Sequence, residues 1–85
     1  MAEKSIEQRV LDAVTDYMIA MGLPTDRVSL EANLSVDLDL DSLSKYELSM
    51  NIEDDFDILI NDLDIAQFTS VQSIVDHLKT IPGVA

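Results

Sequence analysis

The sequence contains no cysteine. Without a thiol there is no disulfide framework, no thiolate metal site and no cysteine nucleophile. A single histidine, His77, excludes a multi-histidine zinc site and leaves little room for Ser/His/Asp chemistry. Glycine and proline are scarce, with Gly22 beside Pro24 and Pro82 beside Gly83, so no breaker interrupts the stretch between the pairs. Cations are scarce as well: 5 Lys or Arg stand against 17 Asp or Glu, for a net charge of -12. Such a surface repels nucleic acid backbones and anionic lipid, and its partners should be basic. No apolar run approaches the roughly 20 residues that span a bilayer, and no secretory leader pattern opens the chain. What is present is 85 residues, 47% of them apolar, enough to bury a modest core. The expectation is one domain over residues 1–85: soluble, cytoplasmic, monomeric and not inserted in a membrane.

The pattern is helical. Ser5 and Gln8 form a capping-box pair, and Ile6, Val10, Val14, Tyr17, Met18 and Met21 recur every three or four residues, predicting a helix from about Ser5 to Met21. Residues 22 to 41 have no sustained period. Val28, Leu30, Leu34, Val36, Leu38 and Leu40 alternate in part, but one strand would have no partner here, so the segment reads as a long loop pinned by buried aliphatics. A second helix is expected from Ser42 to Phe56 with Asp41 as N-cap. A short helix fits Asp62 to Gln67. A last helix should open with a Thr69–Gln72 capping box and run through Val71, Ile74, Val75 and Leu78. The fold class is all-α: a bundle of three main helices plus a short one, with a long loop between helices 1 and 2.

The middle helix carries two apolar stripes. Leu48, Ile52 and Phe56 form a core stripe. Leu43, Tyr46 and Met50 fall on the opposite side, flanked by Glu47, Glu53 and Asp54. An apolar strip with an acidic rim suits docking to a basic, grooved partner. The wheel alone equally allows a bundle that buries both stripes. Residues 37 to 64 also hold Asp37, Asp39, Asp41, Glu47, Glu53, Asp54, Asp55, Asp57, Asp62 and Asp64 against Lys45 alone. Such a cluster is ordinarily a solvated face, and it repels itself unless recognition or solubility favours it. Asp37, Asp39 and Asp41 imitate the start of an EF-hand loop, but Ser42 replaces the required glycine and Leu48 the bidentate glutamate, so no metal site is expected. Ser42, at the start of the middle helix, is explained by capping alone. A phosphate ester on its hydroxyl would nonetheless be stabilised by the helix dipole and free N–H groups.

The stretch Asp37-Leu38-Asp39-Leu40-Asp41-Ser42-Leu43 resembles the modification motif of the acyl carrier proteins, in which Asp-Ser-Leu carries 4′-phosphopantetheine on serine. The similarity continues through Tyr46-Glu47-Leu48, Met50 and Glu53-Asp54-Asp55-Phe56-Asp57, then Ile60 with Asp62, and Thr69-Ser70-Val71-Gln72 with Ile74. It spans about 45 residues in the family's order and approximate spacing, while the first helix agrees only in pattern. The resemblance implies a carrier that catalyses nothing, with covalent 4′-phosphopantetheine on Ser42 flanked by Asp41 and Leu43. It implies a partner-binding face of Leu43, Tyr46, Glu47, Met50, Glu53 and Asp54. The implied partners are a phosphopantetheinyl transferase and acyl-transferring, ligating or condensing enzymes of fatty-acid, lipid or polyketide synthesis with basic docking patches. The chain departs from the family's pattern at Asp39, where glycine is usual, at Asn61, where proline is usual, and at Lys45, where a small residue is usual. Ile58, Leu59, Leu63 and Ile65 make the third-helix region more apolar than in housekeeping members. These departures point to a specialised carrier. The competing readings are a peptidyl or aminoacyl carrier, and an acidic helical interaction domain that is never modified.

Overall fold

A computed structural model describes residues 4–84. Among them are α1 (Ile6–Ala20), α2 (Ser42–Phe56), α3 (Asp62–Gln67) and α4 (Val71–Lys79). Helix α1 packs against both α2 and α4, and α3 lies against α2.

Helix α1 starts where Ser5 Oγ accepts the Gln8 N–H at 3.1 Å. The expected box is only half made, because the Gln8 amide donates to Asp12 instead. Val10, Val14, Tyr17 and Met18 are buried on one face. Met21 is the exposed C-cap and not a core position, contrary to the periodicity. Gly22 follows with φ 73°, a left-handed conformation that lets the Leu23 N–H turn back to the Met18 carbonyl at 2.8 Å and close the helix.

The long loop is pinned by buried Leu34, Leu38 and Leu40, with Ala32 beside them and Val28 and Leu30 half-buried. Val36 is 79% exposed and pins nothing. Asn33 organises the turn: its side chain accepts the Ser35 and Val36 N–H groups, and its own N–H donates to Asp37. The segment does find a partner, though not a strand. Leu34 donates to the Thr69 carbonyl, while Val71 and Gln72 donate to Ala32 and Leu30, leaving one isolated bridge between Asn33 and Ser70. These bonds satisfy backbone groups that the buried aliphatics carry inward.

Helices α2 and α3 have the expected bounds. Helix α4 begins one residue later than the Thr69–Gln72 pattern implies. Ser70 is the N-cap and shares a capping box with Ser73, whereas the Gln72 side chain reaches forward to Asp76. A serine at the third helical position fills the box because its hydroxyl also accepts from backbone N–H groups. Val71, Ile74, Val75 and Leu78 complete the core.

Candidate functional site

The site grows from the approach to α2. Leu38 and Leu40 are buried, so the residues between and after them turn outward. Asp39 takes φ 58°, the left-handed region. Aspartate tolerates that conformation better than most side chains, which accommodates it where the resemblance leads one to expect glycine. Asp41, with extended backbone, is the N-cap, and its carboxylate accepts the Ser44 N–H at 2.8 Å. That backbone hydrogen bond, chiefly, holds the Asp41 carboxyl below the usual carboxylate range.

Because Asp41 caps the helix, Ser42 does not have to. The Ser42 hydroxyl makes no hydrogen bond among the described residues, and Asp41, Ser42 and Leu43 all lie exposed on the first turn. A phosphodiester here would sit at the positive end of a 15-residue helix. The residues therefore fit the attachment of a phosphate-linked arm: an accessible hydroxyl, a favourable dipole and no competing internal bond.

The two stripes of α2 separate as drawn. Leu48 and Ile52 are buried, and Phe56 is half-buried beneath the Arg9 guanidinium, 4.0 Å from its ring centre. On the other side Leu43 is 68%, Tyr46 40% and Met50 51% exposed, so the bundle does not wrap that stripe. Asp54 is exposed beside it. The other rim carboxylates are drawn into internal bonds. Glu47 accepts from the phenol of Tyr17 at 2.8 Å, and burial above all raises the Tyr17 pKa. Glu53 accepts the Ile60 N–H at 2.6 Å and holds the chain leaving α2. Tyr46 donates to Asp62 at 2.6 Å, a bond that raises the phenol's pKa.

Sequence reasoning missed these ties. Tyr17 read only as a core residue, and nothing local marks Glu47 or Glu53 as acceptors for groups distant in the chain. Lys45 is half-buried, and its ammonium reaches inward to the Phe68 carbonyl at 3.0 Å. Asp37 and Asp41 each turn to a backbone N–H, of Asn33 and Ser44 respectively. His77 lies edge-on to Phe68 and 3.8 Å from Asp64, joining α4 to α3.

An exposed serine opening a helix after an aspartate cap, in an all-helical chain with an acidic, apolar-striped second helix, is an arrangement that suits a carrier of a prosthetic arm. Residues 20–78 match the family described as phosphopantetheine attachment site. The chain is 35% identical over 78 residues to an acyl carrier protein of Chlorobium phaeobacteroides, covering 92% of this chain and 96% of that one. It is 32% identical over 83 residues to an acyl carrier protein of Akkermansia muciniphila, covering 98% of this chain and all of that one. The chain belongs to the acyl carrier proteins, a family whose cofactor is covalent 4′-phosphopantetheine.

Proposed function

We propose that Ser42 is the attachment serine and that residues 1–85 form one carrier domain presenting acyl groups to enzymes of fatty-acid, lipid or polyketide synthesis. The carrying observation is the free, exposed Ser42 hydroxyl on the first turn of α2, with its capping duty taken by Asp41. The arm, when bound, supplies the thiol that this cysteine-free chain lacks and on which acyl groups are held as thioesters. The chain's own residues do the rest. The N-terminus of α2 stabilises the phosphate charge, and Asp41 fixes the turn that presents the hydroxyl.

Leu43 and Met50 give apolar contact to a docked enzyme, with Tyr46 beside them. Asp54, with the partly engaged Glu47 and Glu53, gives the acidic field that steers a basic patch toward them. The protein performs no chemistry itself. It works as a monomer in the cytoplasm, meeting a phosphopantetheinyl transferase and then acyl-handling enzymes, and binds neither nucleic acid nor membrane. No helix among the described residues is long and apolar enough to cross a bilayer.

The test is loading by a phosphopantetheinyl transferase with coenzyme A, followed by intact mass and peptide mapping. The wild-type chain should gain one pantetheine phosphate on the peptide bearing Ser42. Ser42→Ala should gain nothing while its circular dichroism stays helical. A modified Ser42→Ala chain overturns the assignment.

A further inference from the structure

Helix α3 has six residues and buries one side chain, Ile65. So short a helix has little stability of its own and depends on what holds it. Two side-chain ties reach its two ends, and they come from adjacent residues of α2. At the start, the Tyr46 hydroxyl donates to Asp62 Oδ1 at 2.6 Å. At the end, Lys45 Nζ donates to the carbonyl of Phe68, the C-cap, at 3.0 Å. Both residues lie about one turn from Ser42. The Lys45 bond is partly buried, so the ammonium crosses the seam between α2 and the end of α3 instead of standing in water.

One turn further along the same face of α2, Ser49 is buried and its hydroxyl donates back to the Lys45 carbonyl at 2.8 Å. The wall of the seam nearest Ser42 is therefore polar, an ammonium followed by a hydroxyl. An alkyl chain entering there would separate the ammonium from its carbonyl and leave both desolvated and unpaired, a loss that contact with a serine does not offset.

Resting on the carrier reading of Ser42, we propose that Lys45 is a specificity-determining residue. Together with Tyr46 it clasps α3 to α2 and closes the seam to long apolar chains. The cargo of this carrier is then a short or polar acyl group held outside the bundle.

The experiment compares wild type, Lys45→Met and Tyr46→Phe, each unloaded and each loaded by a transferase with butanoyl or tetradecanoyl pantetheine from the coenzyme A thioesters. Hydrogen exchange of the 62–67 amides and thermal melts are the readouts. In the unloaded variants α3 should exchange about threefold to tenfold faster, the population change expected when one net hydrogen bond is lost. Wild type should melt at the same temperature with either cargo, whereas Lys45→Met should be stabilised by the longer chain alone. Unchanged α3 exchange in both variants overturns the clasp. A wild type stabilised by tetradecanoyl as strongly as Lys45→Met overturns the specificity. If Ser42 takes no arm at all, the carrier reading fails separately, and exchange in the unloaded variants still decides for or against the clasp.

Discussion

Two aspartates sit where L-amino acids are strained, Asp39 at φ 58° and Asp57 at φ 56°. Asp57 is the C-cap of α2, so its carboxylate also faces the negative end of the helix dipole. Asp57→Asn keeps a side chain that tolerates the left-handed region and removes the charge. It should stabilise the fold by about 0.3–1 kcal/mol at low ionic strength and by less at high salt, measured by denaturant melts. Asp41 stands at the favourable end of the same helix. Its pKa is lowered in the folded state, chiefly by the Ser44 N–H. Stability from this cap is thus fully present above the unfolded carboxylate pKa and is lost as pH falls through the folded one. Asp41→Ala should lower the melting temperature at neutral pH, and its deficit against wild type should shrink as pH falls through the carboxylate range. A pH-independent deficit would show that the cap acts without its charge.

At the scale of elements, α2 divides its labour between its two faces. Leu48→Ala removes a fully buried side chain and should cost about 2–5 kcal/mol. Met50→Ala trims a half-exposed one, so it should leave the melt nearly unchanged while weakening docking of the transferase, with little change in salt dependence. Asp54→Lys should slow loading chiefly through association, and more at low salt. Asp54 is a cleaner probe of the rim than Glu47, whose reversal would also break the bond from Tyr17. Loading rates against ionic strength, with melts beside them, separate these effects. If Met50→Ala unfolds the chain while Leu48→Ala only slows loading, the faces are reversed. The far end of α2 has no basic residue in its last turn, and Arg9 of α1 supplies the missing cation. Its guanidinium donates to the Asp55 carbonyl at 2.9 Å and covers Phe56.

For the whole molecule, a net charge of -12 opposes compaction. Much of the acidic cluster is nonetheless organised. Asp37, Asp41 and Glu53 hold backbone N–H groups, Glu47 and Asp62 accept from tyrosines, and Asp55 pairs with Arg9 at 3.5 Å. Asp39, Asp54 and Asp57 have no such bond among the described residues, and they stand exposed. The melting temperature should therefore rise with added salt, which screens charges over about 10 Å at 0.1 M. A melting temperature indifferent to ionic strength would show that the internal bonds have already absorbed the repulsion.

Helix bounds and the Asp41 cap were legible because they rest on short-range rules. Periodicity of three and four sets which face is apolar, and a capping carboxylate needs only the N–H groups of the next turn. The place of Ser42 followed from the same local chemistry together with a motif confined to neighbouring residues. The exposure of Leu43 and Met50 was legible only as one of two outcomes, because a helical wheel shows where stripes lie and not how many neighbours cover them. The tie of the long loop to the start of α4 was equally hidden, since its bonds join residues near 32 to residues near 71. The same holds for the destinations of Lys45, Tyr46, Glu47 and Glu53: charge and position on a helix are local, but a hydrogen-bond partner is whatever the packing brings within about 3 Å. Sequence alone therefore determined the helices, the Ser5 and Asp41 caps and the candidate serine, while the cap of α4 fell one residue from the expected place. Tertiary packing decided which carboxylates stay free at the surface and which are tied by hydrogen bonds to distant parts of the chain.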